Sequence, residues 1–570
     1  MDIQSAYNRW LNRADASLHD ALVALGEDAK ALEDAFYQDL SFGTAGLRGV
    51  IGPGTNRMNI HTVGRATQGL ADYLNANFEN PTVAICRDSR RMGEEFAQIA
   101  AGVLAANGVR SFLYPRIEPT PALSFAVRDL GCSAGINVTA SHNPAEYNGY
   151  KVYGPDGCQI TEAAAAAIQS AVAGVDVFDG VKCMGFDEAI EAGLASWIGE
   201  DTLDRFIDAV AARSLDADGA GRGELKVVYT PLNGTGLECV DRILARIGVT
   251  DITVVPEQAE PDGDFPTCPY PNPESRAALE RGLALCDEVK PDILLATDPD
   301  ADRVGIAVPH RGEYVLLDGN EIGVLLIDYV CRMRAARGED LSRAVVLTTI
   351  VSTIMVDALA RKYGFELRRT LTGFKYLGEQ IALLEAVGEE DRFVFGFEES
   401  YGYMSGSHVR DKDAVNACML ICEMARWHRS EGRDLVDAMD GLYCEHGQFL
   451  SKTLNFAYPG AEGAGRMAEI MEGLHGEERA TVAGMKVLAT IDYAGGAPMA
   501  IVNQQPGDGD QTLPPSNVME FQLEGDAKLI VRPSGTEPKI KGYLFAKGDT
   551  REEAEAVIGR LEAAAREILE

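Results

Sequence analysis

A serine in the segment Asn137 to Lys151, NVTASHNPAEYNGYK, has the surroundings of a nucleophile. Ser141 follows an apolar run and precedes His-Asn-Pro, which predicts a rigid turn that can present the hydroxyl to a ligand. A serine hydroxyl reacts poorly until a base, a metal ion or a nearby positive charge assists it. Lys151 closes the same segment and could carry out proton transfer. The pattern alone also fits a plain turn with a capping serine.

Three aspartates in the segment LLATDPDADRVG, Asp298, Asp300 and Asp302, have the spacing of a cation site. Their carboxylates follow an apolar run and converge only where something offsets their mutual repulsion. A hard divalent cation with oxygen ligands does so, and Mg²⁺ is the predicted ion. A calcium-binding EF-hand is excluded, because its glycine and glutamate positions are occupied by Arg303 and Pro309. A solvated acidic turn is disfavoured, since the apolar run directs this loop to the ligand edge of a sheet.

The segment VRPSGTEPKIK, Val531 to Lys541, has the donors of a phosphate site. Arg532, two small hydroxyl residues around Gly535, and Lys539 can offer cationic, hydroxyl and backbone N–H donors together. The segment is not a Walker loop, because the GxxxxGK spacing is absent. A plain glycine turn remains the alternative interpretation.

Two neighbouring segments, GFEES and SHVRDKD, could bind a sugar and its phosphate. Glu398 and Ser400 are separated by one residue, so an extended chain can point both at adjacent hydroxyl groups. His408, Arg410 and Lys412 add a cationic edge. A charged helix start is the alternative interpretation.

Two weaker segments complete the set of candidate residues. TLTGFKY, Thr370 to Tyr376, lies upstream in the same predicted domain and could supply further sugar contacts. SFGTAGLRG, Ser41 to Gly49, places Arg48 among glycines that allow close backbone approach to a ligand. Each of them alone could be a structural turn.

The net charge of −35, from 87 acidic and 52 basic residues, would repel nucleic acids and anionic membranes. We therefore expect no nucleic-acid partner and no membrane partner. The N-terminal sequence lacks the basic patch and apolar run of a secretory signal, and no apolar stretch is long enough to span a bilayer, which predicts a cytoplasmic location. Eleven cysteines without a CxxC pair predict reduced thiols instead of disulfides.

The elements that must position these residues are predicted to be α/β units with mostly parallel sheets. Short runs rich in Val, Ile and Leu alternate with longer alanine-rich stretches, and ligands bind at the carboxyl ends of such strands. The predicted strands are TVAIC before Arg87, AGINV before Thr139, KVVYT before Pro231, DILLA before Thr297, AVVLT before Thr349 and RFVFG before Phe397. Seams in the sequence predict four domains, namely 1–205 (phosphoserine), 206–318 (metal-binding), 319–450 (sugar-binding) and 451–570 (phosphate-binding).

The motifs TASHNP, DPDADR, GFEES and RPSGTEP occur in this order, and in them the chain resembles the α-D-phosphohexomutase superfamily over nearly its full length. It is most similar to the long branch that contains phosphoglucomutases and phosphopentomutases, because SFGTAGLRG, DPDADR and SNVMEFQL are typical there. The resemblance implies an α/β fold with four domains around a central cleft. The first three domains would share a mixed-sheet α/β fold, and the C-terminal domain would be a smaller α+β domain.

The resemblance also implies a role for each candidate residue. Ser141 would carry the phosphate, and an oxygen of that phosphate would bind Mg²⁺ together with the three aspartates. The implied catalytic residues are Ser141, Lys151, Arg48 and His408, and the implied metal ligands are Ser141, Asp298, Asp300 and Asp302. The implied substrate-binding residues are Arg303, Thr372, Gly373, Glu398, Ser400, Lys412, Arg532, Ser534, Gly535 and Thr536.

The activity implied by the resemblance is interconversion of glucose 1-phosphate and glucose 6-phosphate through a phosphoserine and a bisphosphate. Glucose 1,6-bisphosphate would be the activator, sugar phosphates the partners, and the protein a monomer or homodimer. Phosphopentomutase and phosphomannomutase activity remain alternatives. An aspartyl-phosphate phosphatase would use Asp298 and Asp300 but leave Ser141 without a role. A non-catalytic sugar-phosphate binder would need Glu398 and Arg532 but neither the serine nor the aspartates.

Overall fold

The apolar runs of the sequence are strands in the computed structural model. The structure describes all residues except 1, 44–45, 217–222, 459, 477–478, 506–510 and 535–538, and it leaves out the side chains of 460–462 and 464. The chain forms two structural units. Unit 1 contains residues 1–317, 378–390 and 401–427, and unit 2 contains residues 318–377, 391–400 and 428–570. Within the described part of the chain, no helix is both long and apolar enough to cross a membrane.

The bounds of the regular elements follow in chain order. The helices are α1 (Ile3–Arg13), α2 (His19–Leu25), α3 (Ala29–Phe36), α4 (Ile60–Asn77), α5 (Gly93–Ala106), α6 (Thr120–Asp129), α7 (Glu162–Ala173), α8 (Phe186–Glu191), α9 (Glu200–Ala211), α10 (Gly236–Arg246), α11 (Pro256–Ala259), α12 (Glu280–Val289), α13 (Gly319–Ala336), α14 (Met355–Tyr363), α15 (Phe374–Ala386), α16 (Ala414–Ser430), α17 (Leu435–His446), α18 (Gly460–Gly476) and α19 (Arg551–Leu569). The strands are β1 (Gly46–Val50), β2 (Thr82–Arg87), β3 (Arg110–Leu113), β4 (Ala134–Val138), β5 (Tyr147–Tyr153), β6 (Ala195–Trp197), β7 (Lys226–Thr230), β8 (Asp251–Val254), β9 (Ile293–Thr297), β10 (Val304–His310), β11 (Glu313–Leu317), β12 (Val345–Thr349), β13 (Glu366–Thr370), β14 (Phe393–Glu398), β15 (Gly402–Met404), β16 (Gln448–Ala457), β17 (Thr481–Val482), β18 (Met485–Asp492), β19 (Ala497–Pro498), β20 (Ala500–Val502), β21 (Thr512–Leu513), β22 (Met519–Leu523), β23 (Ala527–Pro533) and β24 (Lys539–Gly548).

The first sheet of unit 1 has the strand order β1-β5-β4-β2-β3-β6. Strands β4, β2, β3 and β6 are parallel, whereas β1 and β5 are antiparallel to their neighbours. All five residues of β4 are buried, as expected for a parallel strand covered by helices on both faces. Gly46 of β1 must be a glycine, because its φ is +141° and a Cβ there would lie 1.8 Å from the Tyr150 carbonyl oxygen. This close approach brings the Arg48 strand beside the strand of Lys151.

The second sheet of unit 1 has the order β11-β10-β9-β7-β8. Strands β7, β8 and β9 are parallel, and β10 returns antiparallel beside β9 with Val304 opposite Thr297. The loop between β9 and β10 is therefore a hairpin connection that carries the three aspartates. Every side chain of β9 is buried, so this loop starts from a rigid support.

Unit 2 contains parallel strands in the order β14-β12-β13, with β20 added antiparallel beside β13. It also contains a sheet with the order β16-β24-β23-β22-β18-β17, in which neighbouring strands are antiparallel. Helix α19 packs on this second sheet through Leu561, Ala565 and Leu569. A capping box between Thr550 and Glu553 starts the helix.

The predicted fold class is confirmed. Three α/β sheets occur in chain order, and the C-terminal region is an antiparallel sheet covered by helices, which is an α+β arrangement. The six predicted strands match β2, β4, β7, β9, β12 and β14. The exact domain bounds, 1–205, 206–318, 319–450 and 451–570, stay a prediction. All eleven cysteines are free thiols, and nine of them are buried.

Candidate active site

Ser141 lies in the turn that follows β4, with its hydroxyl directed at the aspartate loop. Its Oγ donates to Asp298 Oδ2 at 2.8 Å and lies 3.2 Å from His142 Nδ1. The backbone of Ser141 is left-handed, with φ at +52°, which is uncommon for a residue with a side chain. The Ser141 N–H donates to Thr139 Oγ1 at 2.8 Å and so holds this turn. The serine hydroxyl is thus presented on a rigid support, as the sequence predicts.

The three aspartates after β9 are buried, with exposed fractions of 0 to 1%. Asp298 Oδ1 accepts the N–H groups of Asp302 at 3.1 Å and Arg303 at 2.9 Å, which closes the loop. Asp300 Oδ2 accepts from Lys151 Nζ at 2.8 Å and from the Thr120 hydroxyl at 2.9 Å. Both oxygens of Asp298, of which Oδ2 accepts from Ser141, and one oxygen of Asp300 therefore have partners in the protein.

The remaining oxygens of the aspartate loop fit a hard divalent cation. One carboxylate oxygen from each of Asp298, Asp300 and Asp302 lies within 4.8 Å of the other two. Among the described residues, Asp300 Oδ1 and Asp302 Oδ1 are buried and have no hydrogen-bond partner. Burial and the neighbouring carboxylates raise the pKa of Asp298 well above its usual value. Unpartnered buried carboxylate oxygens are costly, and a cation would offset that cost.

Four basic residues surround the loop in unit 1. Lys412 Nζ lies 3.1 Å from Asp302 Oδ2, and Lys151 Nζ lies 3.8 Å from the same atom. Arg303 pairs with Glu274 at 2.8 Å, and Arg48 Nη1 lies 3.4 Å from the Asn143 side-chain oxygen. Burial favours the neutral form of Asp300, but the Lys151 ammonium holds the pKa of that carboxyl below its ordinary value. These are the local cations that an anionic substrate requires in so acidic a protein.

His142 is a residue for which the sequence analysis gave no role. Its Nδ1 contacts the serine hydroxyl, and burial, with Arg303 and Arg48 nearby, lowers its pKa well below the usual value. The imidazole is therefore neutral at pH 7 and can accept or donate one hydrogen bond per nitrogen. Its position directly after Ser141 was the signal that could have identified it.

Lys412 and His408 have different surroundings, although they lie close together in the sequence. Lys412 Nζ also contacts Asp411 Oδ1 at 2.9 Å, and Asp411 accepts from the Tyr153 hydroxyl at 2.8 Å. His408 Nε2 lies 3.0 Å from Asp413 Oδ2, and its ring centroid is 6.4 Å from that of Phe206. Neither of these His408 contacts involves Ser141 or the aspartate loop, so its catalytic role stays a prediction.

The other candidate residues lie in unit 2. Glu398, at the end of β14, accepts from the Gly373 N–H at 2.7 Å. The hydroxyl of Thr372 is buried, and among the described residues no group hydrogen-bonds to it. Glu398 and the loop before α15 thus share one surface, as expected from their place at the ends of β14 and β13, which are the two parallel strands on either side of β12. Beside them, burial and the Glu398 charge raise the pKa of Glu399 to about 7.

Arg532 lies near the end of β23, opposite Lys541 of β24. Its Nη1 is buried, and in the part of the chain that the structure describes it has no hydrogen-bond partner. The Ser534 N–H donates to the Lys539 carbonyl at 2.8 Å and closes the turn on one side. Gly535 and Thr536 lie outside the described residues. An unpartnered guanidinium nitrogen beside a glycine turn is suited to an anionic oxygen.

The chain matches a known family over three successive segments. Phosphoglucomutase/phosphomannomutase alpha/beta/alpha domain I matches residues 39–177, domain II matches 204–312 and domain III matches 318–444. These segments contain the first, second and third α/β sheets described above, except for β6 at residues 195–197, β11 at residues 313–317 and β20 at residues 500–502.

Relatives with the same organisation cover nearly all of the chain. A protein of Staphylococcus epidermidis strain RP62A named phosphoglucomutase is 34% identical over 546 residues, which is 95% of this chain and 97% of the relative. A Staphylococcus aureus protein of strain RF122 with the same name is 35% identical over 94% of this chain and 95% of its own length. The open form of Paramecium pp63/parafusin, a phosphoglucomutase, superposes with a TM-score of 0.67 at 16% identity, covering 93% of this chain and 95% of that one. On its motifs, fold and relatives, this chain belongs to the α-D-phosphohexomutase superfamily.

Proposed function

We propose that this chain interconverts glucose 1-phosphate and glucose 6-phosphate through phosphorylated Ser141, as an intramolecular phosphotransferase of the isomerase class. The observation that carries the proposal is the contact of 2.8 Å between the Ser141 hydroxyl and Asp298 in a loop of three buried carboxylates. Relatives that are 34 to 35% identical over nearly the whole chain and are named phosphoglucomutase support the choice of glucose.

The reaction consists of two phosphoryl transfers. In the first, the bond between phosphorus and Ser141 Oγ breaks while a free hydroxyl oxygen of the sugar monophosphate bonds to phosphorus, and the proton of that hydroxyl passes to Ser141 Oγ. The bisphosphate then presents its other phosphate, whose bond to the sugar oxygen breaks while Ser141 Oγ bonds to its phosphorus, and the serine proton passes to the departing sugar oxygen. Positioning and charge neutralisation dominate the rate of such transfers. Lys151 and Arg48, which flank the serine turn, would stabilise the transferring charge.

We propose that Mg²⁺ is the ion of the aspartate loop. Asp298, Asp300 and Asp302 would hold it together with an oxygen of the phosphoserine, and the unpartnered oxygens of Asp300 and Asp302 support this assignment. When bound, the ion supplies charge neutralisation for the phosphoryl group. Lys412 and Arg303 offset part of the loop's negative charge, because Lys412 Nζ lies 3.1 Å from Asp302 Oδ2 and Arg303 Nε lies 3.8 Å from Asp302 Oδ1.

The residues proposed to bind the substrate include Arg303 and Lys412 of unit 1 and several residues of unit 2. Glu398 and Ser400 would accept and donate hydrogen bonds to sugar hydroxyl groups, with Thr372 and Gly373 as further contacts. The phosphate that is not being transferred would bind the segment Arg532, Ser534, Gly535 and Thr536. The buried, unpartnered Thr372 hydroxyl and Arg532 Nη1 support these two assignments. We further propose glucose 1,6-bisphosphate as activator, a cytoplasmic location, and a monomer or homodimer.

An activity panel tests the proposal. The purified protein is assayed with the 1-phosphates of glucose, mannose, ribose and deoxyribose, with Mg²⁺ and with or without glucose 1,6-bisphosphate. We expect glucose 1-phosphate to have the highest kcat/KM and the bisphosphate to increase the rate. A higher kcat/KM for a pentose or mannose phosphate would replace glucose as the substrate.

Phosphopeptide mapping separates the mutase from a phosphatase. After incubation with labelled bisphosphate, we expect label on Ser141. Label on Asp298 with an unlabelled serine would contradict the mutase and indicate an aspartyl-phosphate phosphatase. Binding of sugar phosphates without label or turnover would indicate a non-catalytic binder.

A further inference from the structure

The turn that carries Ser141 has a backbone that must be held by its surroundings. A left-handed φ at a serine costs about 1 to 3 kcal/mol, so it persists only where neighbouring contacts fix it. Most of this turn lies outside the sheet, because β4 ends at Val138 and β5 begins at Tyr147. The Glu146 carbonyl accepts from the Ile51 N–H and the Pro144 carbonyl accepts from the Tyr147 N–H. The enclosed carbonyl groups that remain need donors from elsewhere.

Arg90 supplies these donors from a position 51 residues earlier in the chain. Its Nη1 donates to the carbonyl oxygens of Pro144 and Tyr147, each at 2.9 Å. Its Nη2 donates to the carbonyl oxygen of Ser141 at 2.5 Å and to that of Asn143. One guanidinium therefore binds four carbonyl groups of the same seven-residue turn.

Asp88 holds both the guanidinium and the other side of the turn. Its Oδ2 lies 3.3 Å from Arg90 Nε, and its Oδ1 accepts the Arg90 N–H at 2.9 Å. Oδ2 also accepts from the Thr139 hydroxyl at 2.5 Å, and that hydroxyl accepts the Ser141 N–H. The backbone of Ser141 is thus bound at its N–H through Asp88 and Thr139 and at its carbonyl through Arg90.

The pair is completely enclosed, since neither side chain of Asp88 and Arg90 is exposed. The ring of Phe265, in the segment between β8 and β9, lies against the guanidinium, with 5.1 Å between Arg90 Cζ and the ring centroid. Gly263 packs so closely that a Cβ there would lie 2.7 Å from the Arg91 N. Close packing therefore surrounds both the guanidinium and the backbone that carries it.

We propose that Arg90 is a positioning residue that fixes the Ser141 turn for phosphoryl transfer, with Asp88 orienting its guanidinium. The inference rests on the proposed function of Ser141. Arg90 does not touch the reacting oxygen, because the Ser141 Oγ contacts are to Asp298 and His142. Arg90 instead holds the backbone of the turn that carries the Ser141 side chain.

Lysine cannot replace arginine at this place. A guanidinium has five N–H donors in a fixed plane, whereas an ammonium has three donors at one point and cannot reach four separated carbonyl groups. Two or more carbonyl groups would lose their donor, and the turn would relax. A displacement of about 1 Å in a group-transfer site costs roughly 100-fold in rate.

The first experiment compares Arg90→Lys with Arg91→Lys. Arg91 is the matched control, because it is the next residue and pairs with Asp264 on the surface, where its side chain is 57% exposed. For the first variant we expect kcat per mole of phosphorylated Ser141 to fall about 100-fold, with KM within about twofold of wild type. Phosphoserine content is measured by intact mass, so a sample that is only partly phosphorylated cannot imitate the loss. Unchanged kcat, or a rise in KM alone, would overturn the proposal.

Hydrogen exchange makes the test independent of the substrate. Deuterium uptake of the peptide that spans residues 139–149 should rise in Arg90→Lys and stay unchanged in Arg91→Lys. If wild type showed no mutase activity, the proposed function would fail, and this measurement would still decide the role of Arg90. Equal uptake in wild type and Arg90→Lys would overturn it.

A second pair of variants covers the case in which Arg90→Lys does not fold. Thr139→Val removes the hydroxyl that links Asp88 to the Ser141 N–H, and Thr139→Ser restores it. We expect Thr139→Val to lower kcat per phosphoserine by at least about tenfold and Thr139→Ser to recover most of that loss, since only the serine variant keeps a hydroxyl that can bond to Asp88 and to the Ser141 N–H. Equal kcat values for the two variants would overturn the proposal.

Discussion

Replacing Asp300 with asparagine should abolish most of the affinity for Mg²⁺ while preserving the loop. The substitution keeps the size of the side chain and removes one negative charge. Asp300 Oδ2 accepts from Lys151 and Thr120, whereas Oδ1 has no partner among the described residues. In the variant, the amide oxygen would satisfy the two donors, and the amide NH₂ would point where Oδ1 lies now. An NH₂ group repels a cation, so the loop would lose one ligand as well as one charge.

The expected magnitude follows from the burial of the loop. All three aspartates are buried to at least 99%, so little solvent screens the lost charge. Removing one partner of a buried charge pair costs about 3 to 5 kcal/mol. This corresponds to a rise in the Kd for Mg²⁺ of roughly two to four orders of magnitude.

Titration calorimetry of the metal-free protein with MgCl₂ measures this effect. The matched control is Asp264→Asn, because Asp264 is an exposed aspartate that pairs with Arg91 on the surface of the same unit. We expect the control to bind Mg²⁺ like wild type. A Kd for Asp300→Asn within threefold of wild type, or an equal loss in the control, would refute the assignment of the loop as a metal site.

Three further predictions concern single side chains. Ser141→Ala should remove phosphoserine and mutase turnover with little change in melting temperature, since only one small hydroxyl is lost. Turnover within about tenfold of wild type would contradict the assignment of Ser141 as the nucleophile. Glu398→Gln should lower kcat/KM for both glucose phosphates roughly tenfold, because hydrogen bonds from residue 398 to the sugar lose their charge assistance and weaken by about 1 to 2 kcal/mol. Unchanged hexose turnover with lost pentose turnover would indicate a phosphopentomutase. Glu399→Gln should stabilise the protein at pH 8 by up to about 3 kcal/mol and by less than about 1 kcal/mol at pH 5, as measured by urea unfolding. Burial and the Glu398 charge raise the folded-state pKa of Glu399 to about 7, so the wild-type protein loses stability as the pH rises from about 4.5 through 7. An equal effect of the substitution at both pH values would contradict this pH dependence.

The sequence predicted those parts of the site that local pattern controls. The strands before Thr139 and Thr297 could be predicted because continuous apolar runs are typical of buried parallel strands. Ser141 and the three aspartates follow these strands, so their approach to one another is a consequence of the α/β arrangement.

The remaining features depend on contacts that leave no local pattern. Arg90 binds backbone carbonyl groups, which every residue has, so nothing in the sequence of the turn indicates its partner. The contact of His408 with Asp413 depends on the tertiary packing of the segment around Lys412, which the spacing of charges could not reveal. Local periodicity also could not predict that a strand of the C-terminal region would pair with the third sheet.

That pairing has a consequence for how the chain can be divided. Strand β20 covers the outer edge of β13, with Leu367 opposite Val502 and Arg369 opposite Ala500. A fragment that ends at residue 450 would leave the N–H and C=O groups of β13 open, and an uncovered edge is a template for pairing with another chain. The predicted sugar-binding domain therefore cannot be expressed as a clean fragment, and its isolated form should aggregate through this edge. The C-terminal region thus protects the edge of the sheet to which it contributes a strand.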